Sequence, residues 1–353
     1  MDAFIDGLLE ELQLRDEGDR QEPLHTLYLG GGTPSLLPVH QLDRIMNDLH
    51  RRFSFREHAE ITIECNPDHL ERSYLEILNS MGFNRLSIGI QSFQDRELTL
   101  MRRSHSADQA ENSVWEAADA GFSNITADLI YGIPGQELTH WEQTLNRALS
   151  LPLTHLSAYH LTFEPGTVFD QWRKKGKLSP PPEEVSSGQF EILRQRMQEA
   201  GFDHYEISNF ARDEKRSEHN MLYWSGDPYM GVGPSAHSFD GNRRRWNVAS
   251  IRKYTESIHA GEPFWEEELL NTTDRYHDYL ITALRTRWGV DLQTMEKEFG
   301  GSYADYFEKR SAPFLESGAL VRMGRRLVIP AERWLITDHI LRELFFDDRT
   351  ARH

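Results

Sequence analysis

The chain has 353 residues, 38% of them hydrophobic, with eight tryptophans, one cysteine and a formal net charge of −17. That suits one large domain or a large domain plus a small one, and no apolar run approaches the roughly 18 residues of a membrane-spanning helix. One thiol excludes an internal disulfide and any cysteine-only metal site. From Asn271 onward 13 basic residues balance 13 acidic ones, so the acidic excess lies in the first 270 residues, which would repel a phosphate backbone.

The opening stretch, MDAFIDGLLEELQLRDEGD, is acidic and amphipathic, unlike a signal or transit peptide, and the expected location is the cytoplasm. Phe4, Ile5, Leu8, Leu9 and Leu12 form one apolar helical stripe. β-rich runs then alternate with amphipathic segments. Strands are expected at Leu24–Leu29, Glu60–Cys65, Arg85–Ile90, Asn124–Ile130, His155–Leu161 and His204–Ile207. Helices are expected at Gln41–Phe53, Leu70–Met81, Ala107–Ala120, Thr139–Leu149 and Glu184–Ala200. Such alternation indicates βαβ units and a parallel sheet, an open or partial barrel or a doubly wound sheet. In it the helix at the chain start should follow a strand, and none precedes it, so a piece is expected to be missing.

The first strand runs into Gly30, Gly31, Gly32, Thr33 and Pro34, a tight turn or a place where backbone comes close to a ligand. Other strands end on Glu64, on Gln91 and Ser92, on Asp128, on Tyr159, Thr162 and Glu164, and on Glu206, Ser208 and Asn209. Functional groups in parallel α/β folds gather at the carboxyl ends of strands, and these are read together as a site.

After about residue 270 the pattern changes to helices Asp274–Arg285, Leu292–Glu298 and Tyr303–Ser317, a β pair in GALVRMGRRLVIP, and a last helix Ala331–Phe346. This resembles a winged helix, but without a lysine-arginine face no nucleic-acid partner is expected. The domain reading is 1–210 for the α/β part, 211–269 for a connecting segment and 270–353 for the C-terminal domain.

The motifs GGGTP, ECNP (Glu64–Pro67), SIGIQSF (Ser87–Phe93), MRRSHS (Met101–Ser106), DLIYGIPGQ (Asp128–Gln136), AYHLTFEPGT (Ala158–Thr167), YEISNFA (Tyr205–Ala211), HNMLYW (His219–Trp224) and GVGPSAHS (Gly231–Ser238) occur in this order. Together they resemble the HemW branch of the coproporphyrinogen-oxidase-like radical S-adenosylmethionine (SAM) proteins, over nearly the whole chain. The resemblance implies a partial (β/α)6 barrel with a small winged-helix-like C-terminal domain. It implies that Gly31, Gly32, Thr33 and Glu64 hold the methionine end of SAM, that Gln91 and Asp128 address its ribose, that Arg103 pairs with its carboxylate, and that Thr162 also lines the SAM site. It also implies a [4Fe–4S] cluster on three cysteines of a C-x-x-x-C-x-x-C motif, which this sequence lacks. The chain is therefore not expected to assemble the cluster. It reads either as starting at an internal methionine of a longer protein or as a degenerate paralogue, and whether it is an enzyme stays open.

At helical spacing His219 and Tyr223 share one face of HNMLYW, and Asn220 and Trp224 the adjacent one. They either pin a connecting segment or, as the resemblance implies, bind haem, with His219 as the iron ligand and His155, His160 and His237 as weaker candidates. The expected function is a haem chaperone that delivers haem to respiratory proteins, with no integral membrane segment and peripheral membrane association left open. The alternatives are an oxygen-independent coproporphyrinogen III oxidase, whose acidic substrate Arg102, Arg103 or Arg243–Arg245 would have to attract, and a non-catalytic barrel whose winged helix binds a protein or nucleic acid.

Overall fold

The computed structural model describes residues 2–15 and 22–347. Residues 1 and 16–19 of the acidic opening stretch, and residues 348–353 of the C-terminal region, lie outside the described residues. The chain packs as two compact units, one holding 26–37 and 60–217, the other taking in 2–15, 22–25, 38–59 and 218–347.

The first unit is built on a curled half-barrel sheet. The sheet's strands are β1 (Leu24–Leu29), β2 (Phe55–Cys65), β3 (Arg85–Gln91), β4 (Ile125–Tyr131), β5 (His155–His160), β6 (Asp203–Glu206) and β7 (Asn209–Ala211), in the order β1-β2-β3-β4-β5-β7-β6, and the first residues of β1 and β2 belong to the other unit. The β2–β3, β3–β4 and β4–β5 pairs are parallel. The expected sixth strand does not pair with β5 directly, because β7 turns back between them and pairs antiparallel with both. At three residues β7 is too short to show a hydrophobic period.

Alternation along these strands separates two faces. Ile61, Ile63, Leu86, Ile88, Ile90, Ala127, Leu129, Leu156 and Ala158 are buried on one face, which suits packing beneath helices such as Ala107–Asp119 and Leu138–Leu149. The other carries Glu64, Arg85, Ser87, Gln91, Thr126, Asp128, His155 and Ser157. In register, Glu64 lies beside Ser87, Ser87 beside Thr126, and Asp128 beside Ser157. Parallel strands covered by helices on both faces are hydrophobic on both. The polar face here is the concave interior.

In the second unit, helix Asp2–Leu14 packs on helices Val39–Arg52 and Ile251–Ala260. The apolar stripe forms as expected, and Ile5 and Leu12 are buried; so is Glu11, which the stripe does not foretell. Strands β8 (His237–Phe239), β9 (Arg243–Asn247) and β10 (Trp265–Leu269) form an antiparallel sheet. The C-terminal part has helices Thr272–Leu284, Leu292–Phe299 and Gly301–Glu316, and a wing of β11 (Val290–Asp291), β12 (Val321–Met323) and β13 (Arg326–Val328) in the order β11-β13-β12. The single last helix expected from Ala331 is a 3-10 helix, Ala331–Ile336, followed by an α-helix, Thr337–Leu344.

Candidate functional site

The glycine run follows β1, and its three glycines are needed for different reasons. A Cβ on Gly30 would lie 2.4 Å from the Tyr28 ring and 2.9 Å from Glu64 Oε1, so no side chain fits. Gly31 and Gly32 have open space above them but positive φ of 81° and 67°, which side chains disfavour. Glu64, at the end of β2, accepts hydrogen bonds from the Tyr28 hydroxyl at 2.8 Å and from the Gly31 N–H at 2.9 Å. Its carboxylate thus fixes the turn and stands beside the exposed backbone of Gly31 and Gly32. Thr33 precedes a 3-10 turn, Pro34–Leu36, without capping it through its side chain.

Gln91 closes β3 at a register shift and has a positive φ of 68°, a conformation that costs a non-glycine residue energy and is sustained only by its surroundings. His105 contributes, since its buried ring contacts the Ile90 carbonyl oxygen through Nε2 at 3.0 Å. Burial holds the His105 pKa below its ordinary value, so Nε2–H of the neutral ring donates. Arg103, two residues earlier, is half-buried and donates to Asn66 Oδ1 at 3.4 Å; among the described residues no carboxylate lies within ion-pair distance of it.

Asp128 on β4 accepts from Ser87 Oγ at 2.8 Å and is also bonded by Ser157. Burial nevertheless pushes its pKa up to about 6, because desolvation outweighs the two hydroxyls and the charge of Arg85. Glu64, Gln91 and Asp128 thus stand at or near the carboxyl ends of three successive strands. Thr162 lies just past β5 and is exposed. Ser92 and Glu206 are not available to a ligand. Ser92 is fully buried and donates to Glu97, while Glu206 is buried and accepts from the Ser208 N–H at 3.2 Å.

Sequence reasoning missed Tyr28, Ser87, Ser157 and His105. The first three share the polar face of their strands with the residues they hold, so strict alternation was the available signal. For His105 no local signal exists.

Cys65 is buried and its thiol is pushed up by burial, which suits the small hydrophobe expected there. Among the described residues no group of three His, Cys, Asp or Glu side chains could hold a metal ion. With one thiol in the sequence, the residues present do not fit an iron–sulfur cluster.

In the second unit, HNMLYW lies on helix Glu218–Ser225, none of whose residues is fully buried. His219 and Tyr223 meet edge to face with centroids 5.0 Å apart, so the expected shared face is real. Tyr223 is 40% exposed. His219, Asn220 and Trp224 are partly buried, and the Trp224 indole N–H has no acceptor among the described residues.

The weaker histidines fare differently. His155 is fully buried with Nε2 2.7 Å from the Tyr205 hydroxyl, which removes it as a haem ligand. His160 packs where a Cβ on Gly132 would be, 2.5 Å from Nε2, and that nitrogen lies 3.1 Å from Ser186 Oγ. His237 is exposed and stacks on Trp246. The proposed attraction by Arg243–Arg245 is also corrected: all three are paired across to β10 with Glu267 or Glu268, and Arg244 also with Asp278.

A family model described as the radical SAM superfamily matches residues 8–148, and one described as the HemN C-terminal domain matches residues 270–336. The chain is 35% identical over 322 residues to the heme chaperone HemW of Bacillus subtilis (strain 168), covering 91% of this chain and 85% of that protein. It is 29% identical over 348 residues to the heme chaperone HemW of Lactococcus lactis subsp. lactis, covering 99% and 90%. Among solved structures, coproporphyrinogen III oxidase (HemN) from Escherichia coli, described as a radical SAM enzyme, superposes with a TM-score of 0.84 at 26% identity, covering 98% of this chain and 83% of that one.

Proposed function

We propose that this chain, which belongs to the HemW family of radical SAM proteins, is a haem-binding chaperone, with His219 as the iron ligand and Tyr223 and Trp224 as ring contacts. The observation that carries the reading is the His219–Tyr223 pair on a helix that keeps its rings at the surface. Imidazole is a common axial ligand of haem iron, and a partly exposed aromatic one turn away offers apolar contact to the macrocycle. Asn220 completes the motif on the adjacent face. We further propose that the haem passes to respiratory proteins and that the protein works in the cytoplasm. No described helix is long and apolar enough to cross a membrane.

The strand-end residues fit SAM by their chemistry. Open space over Gly31 and Gly32 admits a ligand to exposed backbone, and with Thr33 and Glu64 they would hold its charged methionine end. Gln91 and Asp128 would take the ribose hydroxyls, Arg103 the carboxylate, and Thr162 the rim. A radical from SAM would require a reduced iron–sulfur cluster, which the residues present do not hold.

Haem titration of the purified chain tests the reading. One haem per chain is expected, and His219→Ala should shift the Soret band and lower affinity by about tenfold or more, as expected for loss of an axial bond worth at least ~1.4 kcal/mol. A stoichiometry well above one that is insensitive to His219 would mean adventitious binding to surface histidines and would remove the reading.

A further inference from the structure

The GVGPSAHS segment contributes no side chain to either group of residues above, yet its backbone is closely specified. The chain leaves helix Glu218–Ser225, passes Tyr229, turns through Gly231 and returns along β8. Tyr229 and Phe239 exchange both backbone hydrogen bonds, each at 2.9 Å. A Cβ on Gly231 would lie 2.1 Å from the His237 carbonyl oxygen, so only glycine lets the two segments close on each other. Ser238 Oγ accepts from the Gly231 N–H at 3.1 Å and from Arg15 Nη1 at 2.8 Å, and the Gly233 N–H donates to buried Glu11 at 2.8 Å.

What this folding-back achieves is a line of rings. His219 and Tyr223 meet at 5.0 Å, Tyr223 and Tyr229 at 4.5 Å with an interplanar angle of 71°, and Tyr229 and Phe239 at 6.2 Å. Tyr223 is exposed, and His219, Tyr229 and Phe239 are each only partly buried, so the line reaches the surface along its length. The charged groups acting on the Tyr229 hydroxyl, Arg244 and Asp278, are bonded to each other at 2.6 Å. The surface there offers ring contact rather than a cation for a carboxylate.

We infer that the haem-binding surface extends beyond HNMLYW to Tyr229 and Phe239, and that Gly231–Ser238 is the segment that positions these two rings for the face of a planar tetrapyrrole. The inference rests on the haem-chaperone reading of the same helix. Tyr229 is then a contact residue that requires no iron, and binding divides into a metal bond from His219 and ring contact from Tyr223, Tyr229 and Phe239.

The test titrates haemin and iron-free protoporphyrin IX into the wild-type chain and into Tyr229→Ala, Tyr229→Phe and His219→Ala. Tyr229→Ala should weaken both ligands by about tenfold, the loss expected for one well-placed aromatic contact, while Tyr229→Phe stays within about twofold of wild type. His219→Ala should shift the Soret band and weaken haemin, yet leave protoporphyrin IX, which has no iron to ligate, within about threefold. If Tyr229→Ala leaves both affinities unchanged while His219→Ala still moves the Soret band, the extension is wrong and the haem reading of the helix stands. If His219→Ala is also silent, both fall. Should Tyr229→Ala lower the melting midpoint, Phe239→Leu, which keeps apolar volume, replaces it: weakened protoporphyrin binding at an unchanged midpoint supports the inference, and unchanged binding overturns it.

Discussion

At the ends of β1 to β4 the groups offered to a ligand are backbone and charge held in place before any ligand arrives. Gly31 and Gly32 carry positive φ, Gln91 sits in a strained conformation, Glu64 is bonded by Tyr28 and Gly31, and Asp128 is held by two serines at a cost in desolvation. On helix Glu218–Ser225 and the Tyr229–Phe239 fold-back, the offered groups are rings at the surface, touching edge to face, and none of the four ring-bearing residues His219, Tyr223, Tyr229 and Phe239 has a positive φ. The difference follows from the ligands proposed for them. A small zwitterion with ribose hydroxyls must find each hydrogen bond already aimed, or the ordering cost falls on binding. A flat apolar macrocycle needs area and one metal bond, which His219 and Tyr223 supply from one helix while the Gly231–Ser238 fold-back positions Tyr229 and Phe239. The prepared region should therefore respond in stability to substitution, and the exposed Tyr223 ring on the helix should not.

The largest effect expected is from Gly30→Val. Its side chain must displace the Tyr28 ring and break the hydrogen bond to Glu64, so folding stability should fall by about 1–3 kcal/mol, read as a lower urea midpoint. An unchanged midpoint would mean that the turn has slack and is not prepared.

Next comes Asp128→Asn, with the opposite sign. The folded state binds the Asp128 proton more tightly than the unfolded chain, with a pKa near 6 against an ordinary 3.8. The stability this residue contributes is therefore present below about pH 4 and lost as pH rises to about 6. Asn removes that loss, so the variant should be more stable than wild type by up to about 3 kcal/mol at pH 7 and nearly equal at pH 4. A variant less stable at pH 7 would show that the serine hydrogen bonds outweigh desolvation.

The smallest effect is Tyr223→Ala, which removes a ring 40% exposed on a helix without buried residues. Stability should change by less than about 0.5 kcal/mol while haem affinity falls. A loss of 2 kcal/mol or more would mark Tyr223 as a packing residue and erase the contrast.

Much of this molecule is legible residue by residue because the responsible physics is local. Strand alternation in ITIEC, RLSIGIQ, ITADLIY and HLSAYH places the polar groups on one face, three adjacent glycines announce unusual φ, and the i to i+4 spacing puts His219 against Tyr223. One cysteine decides at once that the residues given cannot ligate a cluster with three thiolates. The rest depends on residues far apart in sequence. Arg243–Arg245 read as a cationic patch until β10 supplies Glu267 and Glu268, and His155 reads as a ligand until Tyr205 takes its ring nitrogen. Glu11 looks like the polar edge of an amphipathic helix, but Asn247, Gly233, Tyr254 and Arg15 together make its burial tolerable. Period and spacing report which way a side chain points; what it meets there is set by chain segments tens to hundreds of residues away, and only the tertiary structure brings those together.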